Sequence, residues 1–130
     1  MIPRILFVSG HQTDVDRLRQ MLFQLPVVLD HVSSLREARG TLEKGKYDVI
    51  LTEALLEDGN WVDLLNLARE KPREMQVIVT DRHADSRFWA EALNLGAYDL
   101  VTQPFYEPEV RRILYNACTR LGGSQAIAAV

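Results

Sequence analysis

Four short polar segments each follow directly on an apolar run, and they hold most of the side chains able to do chemistry: Ser9 to Thr13, Glu53 to Asn60, Thr80 to Asp85 and Gln103 to Phe105. Ser9, Gly10 and Thr13 place hydroxyls and a small residue where a strand would turn into a helix, an arrangement that can hold a phosphate or a flavin mononucleotide. The glycine-rich spacing of established phosphate loops is missing, however, and small polar residues are what an ordinary turn and cap contain, so the ligand reading is the lesser of the two. His11, Ser9 and Asp14 crowd one turn, whereas a catalytic triad draws on separated segments, so His11 reads as a solvated turn histidine. His31 and His83 lack metal-ligand spacing. Glu53, Glu57, Asp58 and Asp81 bring carboxylates close to strand ends, where idle surface acids are common.

The elements that must position these segments follow from the hydrophobic period. Ile5 to Val8, Val27 to Val32, Val49 to Leu51 and Val77 to Val79 are brief and β-branched, as buried parallel strands are, and Leu100 to Thr102 is marked as a fifth by lying between Gly96 and Pro104. Between them the apolar period becomes helical: Val15, Leu18, Met21, Leu22 and Leu25 share one face behind a Thr13 cap. Ser34 and Glu37 have capping-box spacing before a helix over Leu35 to Lys44. Trp61 to Glu70 is a third helix, Asp85 caps a fourth that stops at Gly96, and Pro108 opens a fifth running to about Leu121. A strand–helix unit repeated five times implies an α/β domain with a doubly wound parallel sheet, whose ligands bind outside the carboxyl ends of the strands. The four polar segments lie at those ends.

At 130 residues the chain is one domain, expected over 1–121 with 122–130 as a tail or linker. The 15 basic and 18 acidic residues leave a net charge of -3, which gives no general attraction to nucleic acid or anionic membrane. The single cysteine, Cys118, forms no internal disulfide, and no apolar run reaches the length of a membrane span. A cytoplasmic location is the expectation.

The stretches YDVILTEALLEDGNWVDLL, VIVTD and, above all, LNLGAYDLVTQPF resemble, in order and spacing, the receiver domain of bacterial two-component response regulators, over about Ile2 to Leu121. The resemblance implies a five-stranded CheY-like sheet of order 2-1-3-4-5. It also implies a pocket in which an acidic pair ends the first strand, a phosphate-accepting aspartate the third, a threonine or serine the fourth, and a lysine before proline the fifth. Here those places hold Ser9 and Gly10, Glu53, Thr80, and Gln103 before Pro104, so only the threonine is kept. Magnesium wants oxygen ligands with one or two carboxylates, and phosphoryl transfer wants in-line placement and positive charge. Losses at three places predict a degenerate pocket with no metal, no cofactor, no conventional phosphorylation and no enzymatic activity. Asp81, Glu57 and Asp58 would restore some negative charge if they face the pocket, which would leave a receiver still switched by phosphorylation or a small anionic ligand. Glu53 reaching toward Thr80 would imitate the phosphorylated state.

What remains is the surface. The resemblance implies a docking or dimerisation face on the fourth helix, fifth strand and fifth helix, here with Trp89, Leu100 and Arg112, and with Arg111 nearby. Trp and Arg are enriched at binding hot spots. The competing expectations are that Trp89 packs into the core beside Leu93, and that the two arginines complement a helix dipole in its C-terminal half. The expected partner is a protein or effector domain, with a homodimer through this face as one form of it.

Overall fold

The computed structural model describes residues 2–120. Leu121 and the tail expected at 122–130 lie outside the described residues. The chain runs β1 (Arg4–Val8), α1 (Gln12–Leu22), β2 (Val28–Val32), α2 (Leu35–Lys44), β3 (Val49–Glu53), β4 (Leu55–Leu56), β5 (Gly59–Asn60), α3 (Trp61–Arg69), β6 (Gln76–Asp81), α4 (Ser86–Leu95), β7 (Asp99–Thr102) and α5 (Glu107–Arg120). Five strands form one parallel sheet in the order β2-β1-β3-β6-β7. With the small β4–β5 ribbon set aside, this is the expected 2-1-3-4-5 order.

Alternation along the strands divides the core into two layers. Ile5, Phe7, Val49, Leu51, Ile78 and Val101 point to the side covered by α1 and α5, through Val15, Leu18, Leu22, Val110, Ile113 and Leu114. Leu6, Val8, Ile50, Val77, Val79 and Leu100 point to the side covered by α2, α3 and α4, through Leu42, Leu64, Leu67 and Ala92. The central strand β3 is buried throughout. Among the described residues no helix is long and apolar enough to cross a membrane.

Several sequence expectations need correction. Val27 to Val32 is no buried strand: β2 is a sheet edge, and only Val32 of its residues is buried. The first helix begins at Gln12 with His11 as its N-cap, so Thr13 lies inside it, and it ends at Leu22, leaving the buried Leu25 in the following turn. Ser34 accepts from the Glu37 backbone N–H, but the Glu37 carboxylate takes the Ser33 hydroxyl instead, so the capping box is half made. A complete box closes between Asn60 and Asp63 at the start of α3.

The segment after Glu53 is not a plain loop. Leu55–Leu56 pairs antiparallel with Gly59–Asn60, and the turn between them holds Glu57 and Asp58. Asp58 accepts from the backbone N–H groups of Leu35 at 2.8 Å and Arg36 at 3.0 Å, capping α2 from another part of the chain. Those two bonds hold the Asp58 carboxyl below the usual carboxylate range. At the end of α4, Gly96 adopts φ 114°, and a Cβ there would stand 2.0 Å from a terminal nitrogen of Arg69. Asp85 and Gly96 do bound α4 as expected.

Candidate functional site

The alternation that builds the α1–α5 side of the core also builds a polar row at the carboxyl edge of the sheet. Two residues beyond Phe7, Leu51, Ile78 and Val101, on the same face of their strands, stand Ser9, Glu53, Thr80 and Gln103. Glu53 and Thr80 are direct cross-strand partners. All four are buried, with Ser9 and Thr80 at 0%, Glu53 at 7% and Gln103 at 8% exposure. The four positions expected to form a degenerate pocket are thus brought together.

A buried carboxylate is costly unless bonded, and Glu53 is bonded on both oxygens. Oε1 accepts from the Gly10 backbone N–H at 2.8 Å, and Oε2 lies 2.6 Å from His11 Nδ1. No bond joins Glu53 to Thr80, which removes the expected contact through which Glu53 would imitate a phosphorylated state. The Ser9 hydroxyl accepts from the His11 N–H at 3.0 Å, and the Ser9 carbonyl meets His31 Nε2 at 2.7 Å. Thr80 Oγ1 and Gln103 Nε2 are buried without a hydrogen-bond partner among the described residues.

Sequence reasoning missed the bonding of two residues. The His11 side chain is 63% exposed, as a turn residue should be, yet its ring is tied to Glu53 rather than merely solvated. Asp14 is buried in the first turn of α1, and both its oxygens meet one terminal nitrogen of Arg82, at 2.8 and 2.9 Å. A signal for Asp14 existed: four and eight residues before Leu18 and Leu22, it shares their buried stripe. Nothing local marks Arg82 as its partner.

The acids expected to restore charge do not converge. Asp58 is committed to α2, Glu57 is exposed, and Asp81 points to the opposite side of β6 from Thr80, with no side-chain hydrogen bond or ion pair among the described residues. Magnesium does not fit this donor set: Ser9 and Gly10 supply no carboxylate, while the oxygens of Glu53 and Asp14 already face His11, the Gly10 N–H and Arg82.

On the far side of β7, Trp89 is 47% exposed, and its expected core neighbour Leu93 is exposed as well. Phe88 turns inward instead, onto Trp61. Trp89, Asp85, Thr102, Glu109 and Arg112 line an open groove of about 310 Å³. Leu100, expected on this surface, is buried and forms its floor. Arg111 and Arg112 fall in the N-terminal half of α5, so they do not complement its C-terminal dipole; Arg111 pairs with Glu107 one turn before it, at 3.7 Å.

This doubly wound sheet, with a polar pocket at its carboxyl edge, defines a signalling module of the CheY-like class. Residues 5–115 match the response regulator receiver domain, and the chain belongs to that family. It is 28% identical over 104 residues to the transcriptional regulatory protein PcoR of Escherichia coli, a match covering 80% of this chain and 46% of PcoR. The chain therefore spans less than half of that relative. The signal receiver domain of an HD domain-containing protein from Pseudomonas fluorescens Pf-5 shares the fold with TM-score 0.83 at 24% identity, covering 92% of this chain and 97% of that one. The beryllofluoride-activated NtrC4 receiver domain dimer matches with TM-score 0.76 at 25% identity, covering 89% and 93%.

Proposed function

We propose that this chain is an atypical receiver, acting in cytoplasmic signal transduction through protein contacts and without magnesium-dependent phosphorylation at Glu53. The reading is carried by the state of the Glu53 carboxylate, whose two oxygens are both engaged by Gly10 and His11. A nucleophile must present a free lone pair in line with its target, and misplacement by about 1 Å costs on the order of a hundredfold in rate. Gln103 adds no positive charge to steady a transferring phosphoryl group. Ser9, Gly10, Glu53, Thr80, Asp81 and Gln103 are then remnants of a phosphoacceptor pocket rather than catalytic groups. The receiver unit closes near Leu121, with 122–130 as a tail or linker.

Output runs through the Trp89–Arg112 groove. An aromatic and a guanidinium flank an apolar floor there, the composition of a binding hot spot. The occupant is a second receiver, a reading supported by the NtrC4 receiver domain forming a dimer, or an effector domain. The test is an amide-resolved NMR titration with magnesium and then acetyl phosphate, with intact mass recorded in parallel. Unchanged resonances at Glu53, Thr80 and Asp81 and an unchanged mass are expected; a phosphoryl adduct would overturn the reading.

A further inference from the structure

The donor set that rejects magnesium has a different preference. His11 Nδ1, one carboxylate oxygen of Asp14 and one of Glu53 lie within 4.8 Å of one another. Bonds of about 2.0–2.1 Å at tetrahedral angles set ligand atoms ~3.3 Å apart, so these three need only small shifts to surround one ion. Imidazole favours zinc and its transition-metal neighbours, whereas magnesium selects oxygen alone.

A second observation points to the same place. Thr80 Oγ1 is fully buried, has no hydrogen-bond partner among the described residues, and stands beside Glu53 in register on the same face of the sheet. A buried hydroxyl left unpartnered calls for a cause. It therefore borders the pocket that holds the Glu53 carboxylate.

We infer that His11, Asp14 and Glu53 form a binding site for a divalent transition-metal ion of the zinc class, with the Thr80 hydroxyl at its inner wall. The inference deepens the proposed function, because a pocket that rejects magnesium is its premise. Glu53 and Asp14 are already buried and fixed, so little ordering is needed. Arg82 must release Asp14, and its side chain, 46% exposed, has water to move into. His11 must retreat from 2.6 Å to the ~3.3 Å of a shared ion, and it too is mostly in solvent. The charges balance: two carboxylates now answered in part by Arg82 would be answered in full by one dication. Binding would clamp the start of α1 to β3 and free the segment leading from β6 into α4.

The test uses the full chain, stripped with a chelator, in calorimetric titration with zinc chloride, with magnesium chloride in large excess in a parallel run. Saturable one-to-one binding that magnesium does not displace is expected, with zinc-induced amide shifts at Gly10, His11, Asp14 and Thr80. His11→Ala should weaken it at least about tenfold, the lower end of what even an outer-shell partner contributes. Asp14→Asn, which keeps the side chain's shape, should weaken it as well, and Arg82→Ala, which removes the competitor for Asp14, should tighten it. No saturable binding, full retention in both His11→Ala and Asp14→Asn, or equal competition by magnesium would each overturn the site. A phosphoryl adduct formed with magnesium and acetyl phosphate would instead overturn the proposed function while leaving a zinc result standing.

Discussion

The two halves of the carboxyl-edge pocket differ in how their buried polar groups are answered. On the β1–β3 side, Glu53 is held by Gly10 and His11, and Asp14 is held by Arg82. On the β6–β7 side, Thr80 Oγ1 and Gln103 Nε2 have no partner among the described residues. One half has its buried polar groups bonded from within and the other keeps unused bonding capacity. The lesson is that loss of a family's charged residues need not leave an unstable cavity. The Gly10 N–H, His11 and Arg82 answer the buried carboxylates, and this stabilises the fold.

The largest expected effect comes from breaking the closed half. Arg82→Ala leaves the Asp14 carboxylate buried without its cation and should cost about 2 kcal/mol in urea unfolding at neutral pH. That is below the roughly 3–5 kcal/mol of a fully buried pair, because the Arg82 side chain is partly in water. Glu53→Gln should cost about 1 kcal/mol: one amide oxygen still accepts from Gly10, but the charged contact to His11 is lost. A neutral or stabilising result there would mean that Glu53 is strained rather than satisfied.

The open half sharpens the contrast. Thr80→Val replaces an unpartnered buried hydroxyl by a methyl group of the same shape, so its unfolding midpoint should stay within about 0.5 kcal/mol of the parent or rise. A loss of 1 kcal/mol or more would show that the hydroxyl is bonded after all. Trp89→Ala should act on assembly before stability. Sedimentation or partner binding should weaken, while the unfolding free energy falls by no more than about 1 kcal/mol, less than the 3–5 kcal/mol of removing a core aromatic.

The smallest effect is one of pH. The Asp58 carboxyl is held below its ordinary range by the Leu35 and Arg36 N–H groups, so its contribution is complete above the unfolded-state carboxylate pKa. It is lost as pH falls through the lower folded-state value. The Leu35 and Arg36 amide resonances should therefore shift together in acid below the usual carboxylate range, and Asp58→Asn should abolish that titration.

Much of this molecule was legible from periodicity. The central strands, α4 between Asp85 and Gly96, and the two-sided core follow from short β-branched runs and helical spacing, because burial enforces those patterns. The edge character of β2 was not legible, since an apolar run does not say whether a neighbour lies on both sides of it. The pocket positions could be read from the family resemblance, but their bonding could not. Asp14 and Arg82 are 68 residues apart, and Asp58 reaches α2 across 23, separations at which local pattern carries no information about partners. His11 was read as merely solvated because an exposed ring can still set one nitrogen against a buried carboxylate.

The Asp58 bonds also bear on how this chain tolerates change. A solvent-facing two-residue turn between short strands is ordinarily where insertions and cuts do least harm. Here Asp58 sits in that turn while holding the first amides of α2, so a residue added between Leu56 and Gly59 would unfasten a helix that the turn does not adjoin in sequence. Its length is therefore fixed from outside, and a tag or cleavage site placed there would be felt first at Leu35.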